Sequence, residues 1–564
     1  TSKLYQRKMH LSTERAYAKI KSIDQGGLMN KIATYLNEHL AGEVITHDSV
    51  LRQAETDGSI LARRPDMVVR AADMNDIRKV LRFCSQLAEK GHVLPVFARG
   101  SATDATGAAI NKGIAIDLKT HMNRVVGSDP KQRLIHVQAG LAVSAANAAL
   151  ATHKGLGLPN VSYTDEDGTI GGAINTSPAG TMTGAHGFFA DTVQQLEVVL
   201  SNGDAIQTGR ISKRELNKKK GLSTFEGEVY REIDNLIADN AELISQLDPS
   251  LPDTAGYSAI AKVKQKDGSF DLTPLFVGSQ GSLGIVCEAI LRANFVHPEY
   301  SVVAAPFKHI ADAQEAASLA MKNKAVSVEL IDGRILRQAY LAGKRLEWAP
   351  KECFRGAVVI AIFDEFSDRA RVKAAKKMMK KLSAIDAINI SLIDMEVQGL
   401  ASLHSSLALM EAPSEPHMTA PSAFSGIWLA DQQIAGFAED LKTLESTYGY
   451  ALPMFVDFSN NYTALYPKFD SKKVSERQKI LQLFAEVAQL VDKHEGSFAA
   501  FGGDGRLKSS FMYKHMPNDE KQLYAKVKKI FDPMGIFCPG VKMETPMKDL
   551  AAEMNAWCKN RNQA

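Results

Sequence analysis

The sequence predicts an α+β protein of roughly two or three domains. Its 564 residues are too many for one hydrophobic core, and 45% apolar with 23% charged side chains is the balance of a soluble globular chain. From Pro65 onward, short β-type runs alternate with helical stretches and glycine-containing turns. A second alternation of the same kind begins near His297, after LGIVCEAILRANF. Low-complexity, collagen-like and disulfide-scaffold classes do not have this composition.

The opening segment is helical in period: Leu28, Met29, Ile32, Tyr35, Leu36 and Leu40 recur at three- and four-residue steps and share one face. A strand follows at MVVRA, then a helix from Ile77 to Leu87, then strands at LPVFA, GIAIDL and LIHVQAG. LEVVLSNGDAIQTG reads as a hairpin in which Asn202-Gly203 supplies the positive φ angles of a two-residue turn. The stretch from Ile211 to Gly227, with Lys218, Lys219 and Lys220, breaks the pattern and is expected to be a solvated polar loop. In the second region VSVELID, GAVVIAIFDE and INISLIDM are expected strands. A basic helix from Arg369 to Lys381 turns Arg369, Arg371, Lys373, Lys376, Lys377, Lys380 and Lys381 to solvent, over an apolar side of Val372, Ala375, Met379 and Leu382. The last hundred residues return to glycine-rich loops and end in an amphipathic helix.

Lysine and arginine total 67 against 64 aspartates and glutamates, so the net charge of +3 creates no global field for nucleic acid. An anionic partner needs a local patch. The five cysteines, Cys84, Cys287, Cys353, Cys538 and Cys558, form no C-x-x-C pair, which argues against a thiolate metal cluster and for a reducing compartment. No apolar run reaches the ~20 residues that cross a bilayer. The opening TSKLYQRKMHLSTERAYAKI lacks the apolar stretch of a secretory signal. The expected location is cytoplasmic, with peripheral contact at the inner face of the membrane left open.

Several familiar sites are missing: G-x-x-x-x-G-K-[ST], H-E-x-x-H, G-x-S-x-G and an N-terminal G-x-G-x-x-G behind a strand. Four glycine clusters remain: Arg99-Gly100-Ser101-Ala102-Thr103-Asp104, Thr169-Ile170-Gly171-Gly172, Gly278 to Ile285, and Asp532 to Gly540. Backbone N–H groups of Gly and Ser can curl round an anion without interference from Cβ, so the first cluster, after strand LPVFA, is a candidate diphosphate cradle.

Taken together with their order, these segments carry a resemblance. Thr56-Asp57-Gly58-Ser59 and Pro65-Asp66-Met67-Val68-Val69 match T-D-x-S and P-x-x-V-V, and Arg99 to Asp104 matches R-G-G-G-T-S. Thr169 to Gly172 is T-I-G-G, Gly180 to Gly187 stands for G-x5-Y-G, and Gly278 to Glu288 for G-S-E-G-T-L-G-I-V-x-E. Asp532 to Gly540 stands for D-P-x-G-I-x-N-P-G, with Cys538 in place of Asn. The chain thereby resembles the FAD-linked oxidases of the vanillyl-alcohol oxidase and p-cresol methylhydroxylase (PCMH) superfamily, in the branch of D-lactate, glycolate and D-2-hydroxyglutarate dehydrogenases.

The resemblance implies a two-subdomain PCMH-type FAD-binding domain plus an α+β cap domain with an antiparallel sheet. Its boundaries would be an N-terminal helical segment over 1–45, the FAD-binding domain over 46–296, the cap over 297–500, and a return to the FAD domain over 501–564. Arg99, Gly100, Ser101, Ala102, Thr103 and Asp104 would meet the diphosphate by backbone N–H. Thr169, Gly171 and Gly172 would lie along the ribityl and diphosphate; Gly278, Ser279, Gly284 and Ile285 near the adenine side and flavin edge. Pro159 resembles the family proline before the flavin-facing loop. No histidine stands in the first glycine loop, which implies non-covalent FAD.

The family's chemistry is a hydride transfer from a D-hydroxy acid to flavin N5, with a histidine taking the hydroxyl proton and, in many members, a metal held by two histidines and a glutamate. This sequence departs at those positions. Phe501 stands for the glutamate, Gly502 for the catalytic histidine, and Asp457 and Ala464 for the two histidine ligands. No metal is expected, since one carboxylate cannot assemble a tight site. Arg506 is the candidate carboxylate clamp, and Asp457, Tyr462, Tyr466 and Asp504 are substitutes for acid–base work, each weighed against a packing or turn role. His404 and His417 flank the loop where relatives place substrate-binding arginines.

The reading is a metal-independent, FAD-dependent oxidoreductase acting on a D-2-hydroxy acid or related alcohol. Its electrons would pass to a quinone or protein acceptor. The alternative is an FAD-binding protein that has lost this activity and serves a binding or regulatory role. A third possibility, a subunit partnered with an Fe–S protein, needs its cluster on another chain.

Overall fold

The computed structural model describes residues 25–153, 155–161, 168–248, 251–323, 325–365, 367–396, 399–411 and 417–563. The opening twenty-residue stretch and loop residues 412–416 lie outside them.

The first region holds two sheets. Met67–Arg70 and Val96–Arg99 both run parallel to Ile114–Asp117, and Glu43–Ile45 adds an antiparallel edge. The helix Met74–Glu89 crosses between the first two parallel strands. Asp73 caps it, accepting from the backbone N–H groups of Asn75 and Asp76. Gln25–His39 packs beside it, burying Ile32 and Leu36. The second sheet is antiparallel, in the order 125–129, 134–138, 285–292, 193–199, 205–207.

Two local expectations are corrected here. The hairpin between Val193–Val199 and Ala205–Gln207 closes by Leu200 N donating to Asp204 O, so three residues, Ser201, Asn202 and Gly203, form the loop. Only Gly203 takes positive φ, at 81°, the signature of a type I turn followed by a left-handed glycine. The expected polar loop from Ile211 to Gly227 contains a helix, Lys213–Lys220. Ser212 and Glu215 form a capping box at its start, and the three lysines complement the dipole at its end.

The second region is one seven-stranded antiparallel sheet in the order 391–396, 299–307, 357–363, 327–332, 454–457, 462–465, 427–428. Both faces are covered, so its central strands read as continuous apolar runs. Along Ala357–Phe363, Val359 and Ala361 meet helices Ile310–Met321 and Asp368–Leu382, while Val358, Ile360 and Ile362 pack with Leu336, Leu403 and Leu407. The basic helix differs from expectation at two positions: Met378 rather than Met379 is its buried methionine, and one of the arginines expected in solvent is not there. Arg371 is buried, donating to Glu299 at 2.8 Å and Asp368 at 2.9 Å.

The chain then returns to the first region. Val96 N donates to Ile536 O and Cys538 N to Val96 O, adding a bridge beside the first glycine loop. The last helix, Met547–Gln563, lies against residues 55–63.

Candidate functional site

A cavity of about 650 Å³ opens between the glycine loops of the first region and the edge of the second region's sheet. One wall is backbone. Strand Val96–Arg99 delivers the first loop, in which Ala102 takes positive φ, at 58°. Thr169 caps helix Ile170–Thr176, accepting from Gly172 N at 3.1 Å. A Cβ on Gly100 would sit 2.2 Å from Thr169 Oγ1, and one on Gly171 would sit 2.9 Å from Ala139 O. Side chains are therefore excluded where these two loops meet.

The charged side chains of this wall are half-buried. The guanidinium of Arg99 is a tie, donating to the carbonyls of Gln53, Ala54, Thr56 and Ala109 at 2.7–3.2 Å. Asp57 accepts from Ser59 N at 3.0 Å and Ala109 N at 3.3 Å; Asp104 accepts from Ala108 N at 2.8 Å and Gln280 Nε2 at 3.2 Å. Burial, then the neighbouring Asp104 carboxylate, pushes Asp57 up to about 7. Asp104 is raised by burial as well.

The third glycine cluster reaches the cavity through Gln280, Gly281 and Val286. Gln280, where the family pattern has Glu, fastens three segments: its amide donates to Asp104 and Thr106, and its carbonyl accepts from Gly505 N at 2.7 Å. Gly278, Ser279, Gly284 and Ile285 lie behind the lining rather than on it, as does the fourth cluster, whose Cys538 packs against Val96 O and Gly281 O. Three clusters line the cavity and the fourth braces it. Pro159 also stops short; Val161 reaches the wall.

The facing wall is made of side chains: Phe455, Tyr462, Tyr466 and Phe501, with Leu407 and residues 419–423. The Tyr462 ring lies 5.8 Å from Phe501 and 6.0 Å from Phe455. Gly502 lines the cavity beside Phe501. At the positions of the family's metal ligands stand Phe501, Ala464 and Asp457, and among the described residues no group of three His, Cys, Asp or Glu side chains is arranged to hold a metal. The residues present do not fit that group.

Of the nominated polar residues, Tyr462 and Tyr466 reach the cavity. Arg506 does not: it is 1% exposed, donates to Pro539 O at 2.8 Å, and its Nε lies 3.5 Å from Glu553. Asp504 forms a fully buried ion pair with Lys542 at 2.6 Å. Asp457 shares Tyr462's face of the sheet, yet it is sealed from the cavity and accepts from Ser459 N at 2.8 Å. His404 is buried against Glu329, Nε2 to Oε2 at 2.7 Å, with its ring on Phe455. His417, half-buried, lies off the cavity and accepts from Ser471 through its carbonyl.

Lys508, two positions after Arg506, is a functional group that the sequence reading misses. It lines the cavity while donating to Ser425 O at 2.5 Å and Phe498 O at 3.0 Å, and burial pushes it down to about 7. Trp557 and Arg561 on the last helix also line the cavity.

Residues 65–209 match the family of FAD binding domains, and residues 297–541 match the C-terminal domain of FAD linked oxidases. The D-2-hydroxyglutarate dehydrogenase of Pseudomonas putida is 25% identical over 528 residues, covering 91% of this chain and 51% of that protein. Glycolate oxidase subunit GlcD of Bacillus subtilis is 23% identical, covering 84% of this chain and 88% of that one. The chain thus spans about half the length of the D-2-hydroxyglutarate dehydrogenases it matches. Among solved structures, 4-ethylphenol oxidase from Gulosibacter chungangensis superposes with a TM-score of 0.65 at 13% identity, covering 93% of this chain and 99% of that one, a likeness of fold. The two family matches lie one behind the other and together span most of the chain, which belongs to the FAD-linked oxidases, with FAD as its cofactor.

Proposed function

We propose that this chain is an FAD-dependent oxidoreductase that oxidises a D-2-hydroxy acid, D-lactate-like, or a related alcohol. The observation that carries the reading is the cavity itself, in which a backbone cradle faces a wall able to hold a small substrate. The relatives named D-2-hydroxyglutarate dehydrogenase and glycolate oxidase support the substrate class. Non-covalent FAD supplies the hydride acceptor at flavin N5.

The chain itself must exclude water, hold the substrate and remove the hydroxyl proton. Phe455 and Phe501 exclude water. Tyr462, Tyr466 and Lys508 are the groups on the wall that can take a proton, and Lys508, near 7, matches that task at neutral pH. Asp457 and Arg506 would act only from behind the wall. Electrons would leave to a quinone or a protein acceptor, with the basic helix Asp368–Leu382 offering a surface for peripheral membrane contact. Among the described residues no helix is long and apolar enough to cross a membrane.

One observation favours a second reading. Phe501, Gly502 and Ala464 replace a glutamate and two histidines of the family pattern, as expected of an FAD-binding protein that has lost hydroxy-acid oxidation. Anaerobic mixing of the yellow protein with D- and L-hydroxy acids and alcohols separates the two. Bleaching by a D-2-hydroxy acid supports the first reading, and failure across the whole panel supports the second.

A further inference from the structure

Gln280 holds a costly backbone conformation. Its φ is 53°, in the left-handed region, although it carries a full side chain and is 5% exposed. Such a residue persists where its surroundings fix it, and here its own side chain does the fixing. Gly505 N donates to Oε1 at 2.7 Å, which sets the orientation of the amide, because an N–H can meet only its oxygen. Nε2 then faces the first glycine loop, where it donates to Thr106 Oγ1 at 2.9 Å and to Asp104 Oδ1 at 3.2 Å. The backbone joins in: Gln280 N donates to Asn175 O at 3.0 Å, in helix Ile170–Thr176. One residue thereby ties the candidate diphosphate loop to Gly502–Gly505, and Asp104, Thr106, Gln280 and Gly502 all line the cavity.

The two ends of the bond between Asp104 and Gln280 both depart from the family pattern, and in opposite senses. R-G-G-G-T-S puts a serine at 104 and G-S-E-G a glutamate at 280, whereas this chain has Asp104 and Gln280. A hydroxyl opposite a carboxyl group has become a carboxyl group opposite an amide, so the acid has crossed from the third glycine cluster to the first. Either residue type changed alone would spoil the match. Glutamate opposite Asp104 sets acceptor against acceptor. An amide at 104 sets donor against donor, since its oxygen would be held by Ala108 N and Thr106 N, which now reach Asp104 Oδ2 at 2.8 and 3.0 Å. We propose that Asp104 and Gln280 are an exchanged positioning pair, whose hydrogen bond holds Gly502–Gly505 in register with the cofactor cradle. Its effect on the cofactor rests on FAD occupying the cavity.

The test is an isosteric exchange in the full chain, read by FAD titration and by melting temperature. Asp104→Asn and Gln280→Glu should each weaken FAD binding about tenfold and lower the melting temperature. Together they rebuild the bond with donor and acceptor reversed, at wild-type charge and nearly wild-type volume. The double variant should therefore bind within about threefold of wild type and regain its melting temperature, a rescue that two independent packing defects would not show. Asp104→Ser with Gln280→Glu, the pairing of the family pattern, should recover likewise. Losses that multiply to about a hundredfold in the double variant would overturn the proposal, as would wild-type behaviour of both single variants. Recovery of melting without recovery of the Kd would overturn the pair's part in placing the cradle. If the single variants do not fold, a soluble, yellow double variant supports the pairing, and its failure to fold counts against it. Failure of the wild type to bind FAD would instead overturn the placement of the cofactor, and the melting temperatures would still decide the pair.

Discussion

The two walls of the cavity are built from different materials. The cradle wall is backbone held by sterics, because Gly100 meets Thr169 and Gly171 meets Ala139 with no room for a side chain. The cap wall is an array of rings: Phe455 and Tyr462 stand on paired strands of the sheet, Tyr466 just past the end of one, and Phe501 on a loop beside them. A ring at Phe501 is accommodated in this wall, whereas a Cβ at Gly100 would sit 2.2 Å from Thr169 Oγ1. Cofactor binding and reaction chemistry can therefore diverge separately within one fold.

Breaking the cradle should give the largest effect. Gly171→Asp puts a Cβ 2.9 Å from Ala139 O and a carboxylate into the wall, so the purified variant should be colourless. A fully yellow Gly171→Asp would show that the cradle tolerates what sterics forbid. Next comes Arg99→Glu, which removes four hydrogen bonds to backbone carbonyls, three of them partly buried, and should cost about 3 kcal/mol of stability, read by urea denaturation. FAD should be lost with it.

The cap wall should behave in the opposite way. Tyr462→Phe and Lys508→Met should retain FAD, and whichever removes the proton acceptor should slow anaerobic bleaching about 100-fold. Stopped-flow absorbance makes that measurement, and cofactor loss in both variants would erase the contrast between the walls. A smaller effect concerns pH. Asp57, near 7 when folded against an ordinary 3.8, keeps its proton between those values while the unfolded chain loses it. Its stabilising contribution is thus complete below about pH 4 and lost as pH climbs through about 7. Lys508, lowered to about 7 from 10.5, works the other way, adding stability as pH rises between those values. Melting at pH 5 and pH 7.5 should show a flatter decline for Asp57→Asn than for wild type. The smallest change is expected from Gly502→His: a Cβ there meets no atom within 4 Å, but φ of 84° strains any side-chain-bearing residue.

The apolar strands 327–332 and 357–363 were legible because burial on both faces leaves a continuous apolar run. The first glycine cluster was legible as a cradle from its residues alone; the second and third were placed by the resemblance, and the third meets the cavity at Gln280 and Gly281 rather than at Gly278, Ser279, Gly284 and Ile285. Depth was not legible. Arg506 is removed from the cavity by Pro539 and Glu553, contacts that arise only in the tertiary fold. The helix Lys213–Lys220 carried a readable capping box, Ser212 to Glu215, which the density of charge obscured. That Trp557 and Arg561 line the cavity had no local signal, since it depends on where the last helix docks.

That docking has a consequence for biosynthesis. Arg63 and Glu553 are 490 positions apart, so the pocket wall they latch remains unfinished until the residues up to Glu553 have emerged from the ribosome. The parallel strands near the start can assemble early, but nascent polypeptide should acquire its yellow colour only after translation has passed the final helix.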